Sequence, residues 1–321
     1  MARASNLTHI YSAHLRTDQH PPEGFVRHSS LSETINVLSD TWTYLIIREA
    51  FFGAKRFAEF QKALGIPRAT LSKRLAKLEA DKILARAKDT GTNEHKPYYL
   101  TARGIDLYPI TLGMMRFGDK WLTEGTPPLA LFHKTCRSWT SPRVVWQETG
   151  EPVDARRIHV RIPKNYWTPR SDKVVRQRRA TWDGSVRGMR PCSVERMLSI
   201  VGDRWTFLIL QEFFHGNRRF DDFIKNLTIG PNILTGRLNN LLSAGFIEKI
   251  QTGNGYHLTE KGFDIYGPMI LMKIWGERWL RKNQKTFDFL DTSNRSLTPV
   301  AVCSACGELL NARQMSYVCN Y

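Results

Sequence analysis

The sequence predicts a mainly α fold carrying small β-hairpins, α+β in class, and predicts it twice. Three observations lead there: a long internal repeat, apolar stripes at helical spacing in each copy, and short alternating segments behind those stripes. The repeat governs the rest, because a duplication sets the number of domains before any element is placed. Asp40-Thr-Trp-Thr-Tyr-Leu-Ile-Ile-Arg-Glu49 reappears as Asp203-Arg-Trp-Thr-Phe-Leu-Ile-Leu-Gln-Glu212, an offset of 163. At that offset residues 38–84 and 201–247 align without a gap and share 18 identities in 47 positions, among them Arg56/Arg219 and Arg74/Arg237. A second block aligns 98–122 with 256–280, 10 identities in 25, at offset 158. The five-residue difference falls between the blocks, where a loop absorbs length changes.

Within each copy the apolar period is helical. Trp42, Leu45 and Ile46 share one face and end at Gly53. Phe57, Phe60 and Leu64 form a second stripe, and Leu71, Leu75 and Leu78 a third. The other copy keeps these as Phe220, Phe223, Leu227 and Leu234, Leu238, Leu241. Between stripes two and three stand the breaks Gly65-Ile66-Pro67 and Thr228-Ile229-Gly230-Pro231; Pro231 suits a first helical turn, where a missing N–H costs nothing. Two short helices with a tight break form a helix-turn-helix. Ile83–Arg86 with Tyr98–Leu100, and Phe246–Ile250 with Tyr256–Leu258, then alternate as hairpin strands. A helix-turn-helix followed by a β-hairpin is a winged helix, so the chain reads as two tandem winged helix-turn-helix domains with a pseudo-two-fold between them.

The closing helices, 105–122 and 263–280, are apolar on too many sides for one small core to bury. Packing of the two repeats against each other is the expected cover, with reading helices then about 34 Å apart, one turn of B-DNA. The predicted organisation is an N-terminal extension (1–25), winged helix 1 (26–124), a ribbon-like tail (125–160), a basic linker (161–188), winged helix 2 (189–283) and a second ribbon-like tail (284–321). Residues 155–190 hold 11 Lys/Arg against two Asp and show no periodicity. They serve either as a solvated spacer or as an arm that tracks phosphates.

A formal net charge of +17 and a pI near 9.9 call for a polyanionic partner, nucleic acid before a membrane surface. No apolar run reaches bilayer length, no signal core follows Met1, and five cysteines make no disulfide framework. A cytoplasmic protein without membrane association is expected. No Gly-rich phosphate loop, nucleophile elbow or metal triad argues for an enzyme.

Cys192-Ser-Val-Glu-Arg-Met-Leu-Ser-Ile-Val-Gly-Asp-Arg-Trp205 resembles the opening of the HxlR family of bacterial winged-helix regulators, relatives of the MarR type. Arg218-Arg-Phe-Asp-Asp-Phe223, the Leu234–Leu241 run and Leu258-Thr-Glu-Lys-Gly262 continue the resemblance, and the first repeat follows it more loosely from Leu31 to Leu122. The resemblance implies a transcriptional regulator, a repressor by expectation, that meets double-stranded DNA through the second helix of each helix-turn-helix and the wing. Members are single-domain homodimers; this chain fuses two copies, which leaves a homodimer of the fused chain open. An effector-controlled adaptor or a non-specific nucleoid-type protein is the alternative.

The expected DNA-binding residues are Arg68, Thr70, Ser72, Lys73, Arg74 and Lys77 in the first copy, with Lys88, His95 and Lys96 on its wing. The second copy offers Asn232, Thr235, Arg237, Asn239 and Asn240. Arg and Lys suit guanine edges or phosphates and Asn suits adenine, so the copies carry different reading chemistry. Arg74 and Arg237 have an equal claim to a structural role. Cys192, ahead of a helix, is either a sensor for a redox or small-molecule effector or, the favoured reading, a buried small hydrophobe. The tails repeat as well: Cys303-x-x-Cys306-Gly is half of a zinc ribbon's ligand set, and His133-x-x-Cys136 in the other copy is the complementary half. Trp146 and Thr149, Leu290 and Ser293 stand at the corresponding positions. Decayed ribbons without metal or other cofactor are expected; a composite site of His133, Cys136, Cys303 and Cys306 is the alternative.

Overall fold

A computed structural model describes residues 25–27, 29–38, 40–87, 96–161, 163, 167–169, 191–251 and 253–320. Both copies form the expected winged helix. In the first, Asp40 caps α2 (Thr41–Phe51) by accepting from the Thr43 N–H at 3.2 Å. There follow α3 (Phe57–Leu64), α4 (Arg68–Ala80) and the hairpin β2 (Leu84–Arg86) and β3 (Tyr98–Leu100), paired Leu84↔Leu100 to Arg86↔Tyr98. The stripe residues Leu45, Ile46, Phe60, Leu64, Leu71, Leu75 and Leu78 are all buried. In the second copy α8 (Arg204–Phe214), α9 (Phe220–Leu227), α10 (Pro231–Ser243), β9 (Ile247–Lys249) and β10 (Tyr256–Leu258) repeat the pattern. Thr228 takes the left-handed conformation (φ 53°) that ends α9, and Pro231 opens α10. Each closing helix is broken once, giving α5 (Ala102–Ile105) and α6 (Tyr108–Trp121), then α11 (Glu260–Asp264) and α12 (Tyr266–Trp279). No helix of the described residues is long and apolar enough to cross a membrane.

The compact units are not the two contiguous repeats. One unit comprises Met1–Ile35, Val144–Arg178 and Asp203–Val300; the other comprises Asn36–Arg143, Arg179–Gly202 and Ala301–Tyr321. Each winged helix therefore receives the leading helix of the other repeat. In the unit with winged helix 1, α7 (Ser193–Val201) lies along α6 and buries Val194, Met197, Leu198 and Val201. The Ser193 hydroxyl donates to the Asp119 carboxylate, and Arg196 donates to Thr123 Oγ1 at 2.7 Å. In the unit with winged helix 2, the Ser30–Ile35 part of α1 (Ser30–Leu38) supplies buried Leu31 and Ile35. Thr34 there donates to the Met272 carbonyl at 3.0 Å, and Arg281 holds Glu33 through Nε at 2.8 Å and a second nitrogen at 2.6 Å. The apolar surplus read on the closing helices is thus covered by an exchanged helix in each unit.

Glycines at equivalent positions permit the exchange. A Cβ on Gly118 would lie 2.1 Å from the Ser193 carbonyl oxygen, and one on Gly276 2.6 Å from that of Ser30. At Gly118 the nearest obstacle is backbone, which cannot turn aside as a side chain would; at Gly276 the Thr34 hydroxyl stands nearer still than the Ser30 backbone. Gly118→Ala is expected to cost about 1–3 kcal/mol through overpacking. Its effect is read as a lower unfolding midpoint with faster hydrogen exchange over residues 193–201; unchanged exchange there would place the helix elsewhere.

The tails exchange halves in the same way. In the unit with winged helix 1, β4 (Leu129–His133) lies between β5 (Ser138–Thr140) and β14 (Met315–Cys319). In the other unit β11 (Asp288–Leu290) lies between β12 (Ser296–Leu297) and β7 (His159–Arg161). This corrects the reading of residues 155–190 as lacking strands: β7 pairs with β11, and β8 (Trp167–Pro169) pairs with β1 (Phe25–Arg27). These strands are short and lack a neighbouring turn signal, because their partners lie more than a hundred residues away in sequence. Some of the basic residues in this stretch are also committed to ion pairs: Arg156 with Asp154 and Glu260, and Arg161 with Asp288 at 2.9 Å.

Candidate nucleic-acid interface

In each copy the second helix of the helix-turn-helix buries its leucines and turns a polar face outward. On α4, Leu71, Leu75 and Leu78 are buried while Arg68, Ser72 and Lys73 are exposed and Thr70 is half-buried. The Arg68 guanidinium lies over the Phe57 ring at 5.1 Å, which orients it at the mouth of the helix. On α10, Leu234, Leu238 and Leu241 are buried while Asn232, Thr235, Asn239 and Asn240 are exposed, beside exposed Gly236. The first copy thus presents cations and the second presents amides.

Three of the expected cationic side chains have intramolecular partners. Arg74 pairs with Asp40 at 3.0 Å and Arg237 with Asp203 at 2.9 Å, so each holds the aspartate that caps the helix ahead of the motif, α2 or α8. Lys77 donates to the Val37 carbonyl at 2.9 Å and pairs with Asp81 at 2.6 Å. Such partners tie the second helix of the motif to the helices ahead of it, which positions the exposed face. Lys96 is half-buried beside β3, and Lys88 and His95 lie outside the described residues.

The surface adds groups that the pattern did not assign. Arg56 and Arg219, identical in the two copies, are exposed at the N-cap positions of α3 and α9. Beside Arg56, the Glu59 carboxylate accepts from the Lys55 and Arg56 N–H groups at 2.7 and 3.0 Å, and those two bonds hold its carboxyl below the usual range. Arg219, Lys249, Asn254 and Tyr256 line a cleft of about 610 Å³ where the wing meets the helix-turn-helix of winged helix 2. Two large apolar side chains are exposed among the polar ones: Ile233 on α10 at 41% and Tyr99 on β3 at 44%. The identity of Arg56 and Arg219 was the legible signal. Ile233 carried none, since an isolated exposed isoleucine is ordinary.

Cys192 is buried at the N-cap of α7 against Arg48, and both line a cavity of about 290 Å³ with Phe51, Tyr108, Met115 and Leu131. Arg48 is 2% exposed, pairs with Glu49 at 2.6 Å, and leaves one Nη without a hydrogen-bond partner. In the other unit the equivalent positions hold Ser29 and Gln211, bonded at 3.0 Å.

The exchanged ribbon brings His133, Cys136, Cys303 and Cys306 together, all four donor atoms within 4.8 Å of one another. The grouping that the sequence offered as an alternative is the one that forms. Burial opposes ionisation of Cys303, but the Thr140 hydroxyl and the Cys306 and Ala305 N–H groups outweigh it and bring the thiol down to about 6.

Comparison with known proteins assigns both copies to one family. The model of the HxlR-like helix-turn-helix matches residues 37–126 and 200–284. An uncharacterized HTH-type transcriptional regulator of Mycobacterium bovis is 38% identical over 131 residues, 40% of this chain and 82% of the relative. A counterpart in Mycobacterium tuberculosis matches to the same extent. An uncharacterized HTH-type transcriptional regulator of Synechocystis is 32% identical over 95 residues, 29% of this chain and 70% of its own. The solved structure of PA1607 shares 26% identity over 45% of this chain and 90% of its own, with a TM-score of 0.27.

Proposed function

The chain belongs to the HxlR-like helix-turn-helix family, and on that premise we propose that it is a DNA-binding transcriptional regulator, acting as a repressor, that reads operator DNA through two winged helices of one chain. The observation that carries this reading is the outward face of α4, where Arg68, Ser72 and Lys73 stand opposite a fully buried leucine stripe. A helix held this way by its partner helix can lay its polar side in a major groove, where Arg and Lys meet guanine. On α10, Asn232, Asn239 and Asn240 supply the chemistry that suits adenine. The surplus of positive charge draws the chain to the duplex and supplies the sequence-independent part of affinity. A small-molecule or redox effector would act at the Arg48–Cys192 cavity, which borders the α6–α7 seam and so bears on how α7 is held. The five thiols suit a reducing cytoplasm.

Selection of bound duplexes from random DNA tests this function. Because α4 and α10 differ, the expected operator has two unlike half-sites bound by one chain. A symmetric palindrome bound by two chains would point to a homodimer in which one copy reads bases. No enrichment over random sequence would favour the nucleoid-type or adaptor reading. Binding should also weaken with salt, the log–log slope growing by about 0.9 for each phosphate neutralised. A chain lacking residues 170–187 should give a shallower slope, and an unchanged slope would reduce that segment to a spacer.

A further inference from the structure

We propose that His133, Cys136, Cys303 and Cys306 form a tetrahedral zinc site that closes the exchanged ribbon. Cys136 Sγ lies 3.8 Å from Cys303 Sγ, and His133 Nδ1 lies 3.3 Å from Cys136 Sγ and 3.5 Å from Cys306 Sγ. Zinc bonds of about 2.3 Å to sulfur and about 2.0–2.1 Å to nitrogen, at a tetrahedral angle, separate two sulfurs by about 3.8 Å and sulfur from nitrogen by about 3.6 Å. Three of the six separations among the four atoms therefore stand close to the spacing that one ion would impose, and all six fall within 4.8 Å. Sulfur atoms joined in a disulfide would be about 2.05 Å apart.

Two further observations point the same way. His133 is completely buried, and its Nδ1 lies among cysteine sulfurs. A buried imidazole so placed is costly as a bystander and ordinary as a ligand. The turn that carries the second pair is also shaped for thiolate: the Ala305 N–H donates to Cys303 Sγ at 3.4 Å, and the Gly307 N–H closes on the Cys303 carbonyl at 3.0 Å. Thr140 and Ser304 bond across the two turns and fix their approach.

The second ribbon is an internal control. Its four corresponding positions are Leu290, Ser293, Trp146 and Thr149. Leu290 and Trp146 are buried, and Trp146 packs on Phe289 with ring centroids 5.3 Å apart. One ribbon is therefore closed by apolar side chains and the other by four metal donors. Had each tail folded on its own repeat, both ribbons would hold half a ligand set. The exchange gathers both halves in one ribbon. Three thiolates with one imidazole suit zinc by softness and geometry, and binding releases to solvent whatever protons the thiols still carry. The ion would tie residues 303–306 to the β4–β5 turn across 167 residues of chain.

The test is the metal content of the full chain, purified under reducing conditions and equilibrated with zinc. The expected result is one zinc per chain by mass spectrometry of the metal. Exchange into cobalt should give the visible bands of a tetrahedral thiolate-ligated ion, a reading that does not depend on any variant folding. Cys306→Ser, at the exposed ligand, should lose the metal and the cobalt bands, whereas Cys192→Ser and Cys319→Ser should keep both. Substoichiometric zinc in the wild-type chain, a cobalt spectrum without thiolate charge-transfer bands, or a Cys136–Cys303 disulfide in its place would each overturn the proposal.

Discussion

Arg68→Ala combined with Lys73→Ala is expected to weaken binding of the selected operator by roughly 1–3 kcal/mol for each side chain that reads a base, and by less for one that meets a phosphate. Both side chains are exposed on α4, so the fold should survive their removal. Lys77→Ala should behave in the opposite way. Its ammonium joins the Val37 carbonyl to Asp81 within the domain, so its removal should reach DNA only through a loosened helix. Affinity titrations at one salt concentration, run beside thermal unfolding, separate the two cases. If the double variant binds the operator as tightly as wild type, α4 does not meet DNA through this face. A matching drop in affinity for random DNA would assign both side chains to phosphates rather than to bases.

The contrast between Lys73 and Lys77 shows what a sequence can and cannot carry. The leucine stripe is a local regularity, so Leu71, Leu75 and Leu78 were legible, and with them the outward face. Beyond the local Lys77–Asp81 pair, Lys77 and Arg74 reach Val37 and Asp40, more than thirty residues away, and no period in α4 announces those contacts. The exchange of helices was half legible. The apolar surplus on the closing helices required a second surface, but Ser193–Val201 reads simply as the first helix of its own repeat. The cover that it provides becomes visible only with Ser193 set against Gly118. The tails followed the same logic: both halves of a ligand set stood in the sequence, and only tertiary pairing of β4 with β14 could join them. β7 and β8 were missed for a different reason, since their partners β11 and β1 lie more than a hundred residues away and no turn signal joins them as it joins β2 to β3.

The largest expected effect on stability lies at a pair hidden inside the apolar run of the last helix. Lys273 and Glu277 on α12 are both buried and joined at 2.7 Å. Lys273 also donates to the Phe287 carbonyl at 2.9 Å, and Glu277 accepts from the Thr286 hydroxyl at 2.7 Å and from its N–H. Lys273→Met removes one charge and leaves the carboxylate buried, which costs about 3–5 kcal/mol when one partner of a buried pair is deleted. The Thr286 donors remain, so the lower end is expected. Met115 and Asp119 occupy the equivalent positions of α6, and there the acid is held by the Ser193 hydroxyl instead. Lys273→Met with Glu277→Gln should recover most of the stability, because no buried charge is left. Titration gives a second reading. Burial brings the Lys273 ammonium down to about 8 despite Glu277, whereas the unfolded chain keeps it near 10.5. Between those values the unfolded state binds more protons, so stability should rise with pH from about 8, by at most about 1.4 kcal/mol per unit. Lys273→Met should lack that rise. Hydrogen exchange over 266–279, compared at pH 7.5 and 9.5 after correction for the intrinsic rate, measures it locally. Equal pH dependence in wild type and variant would mean that the lysine is not buried as a charge.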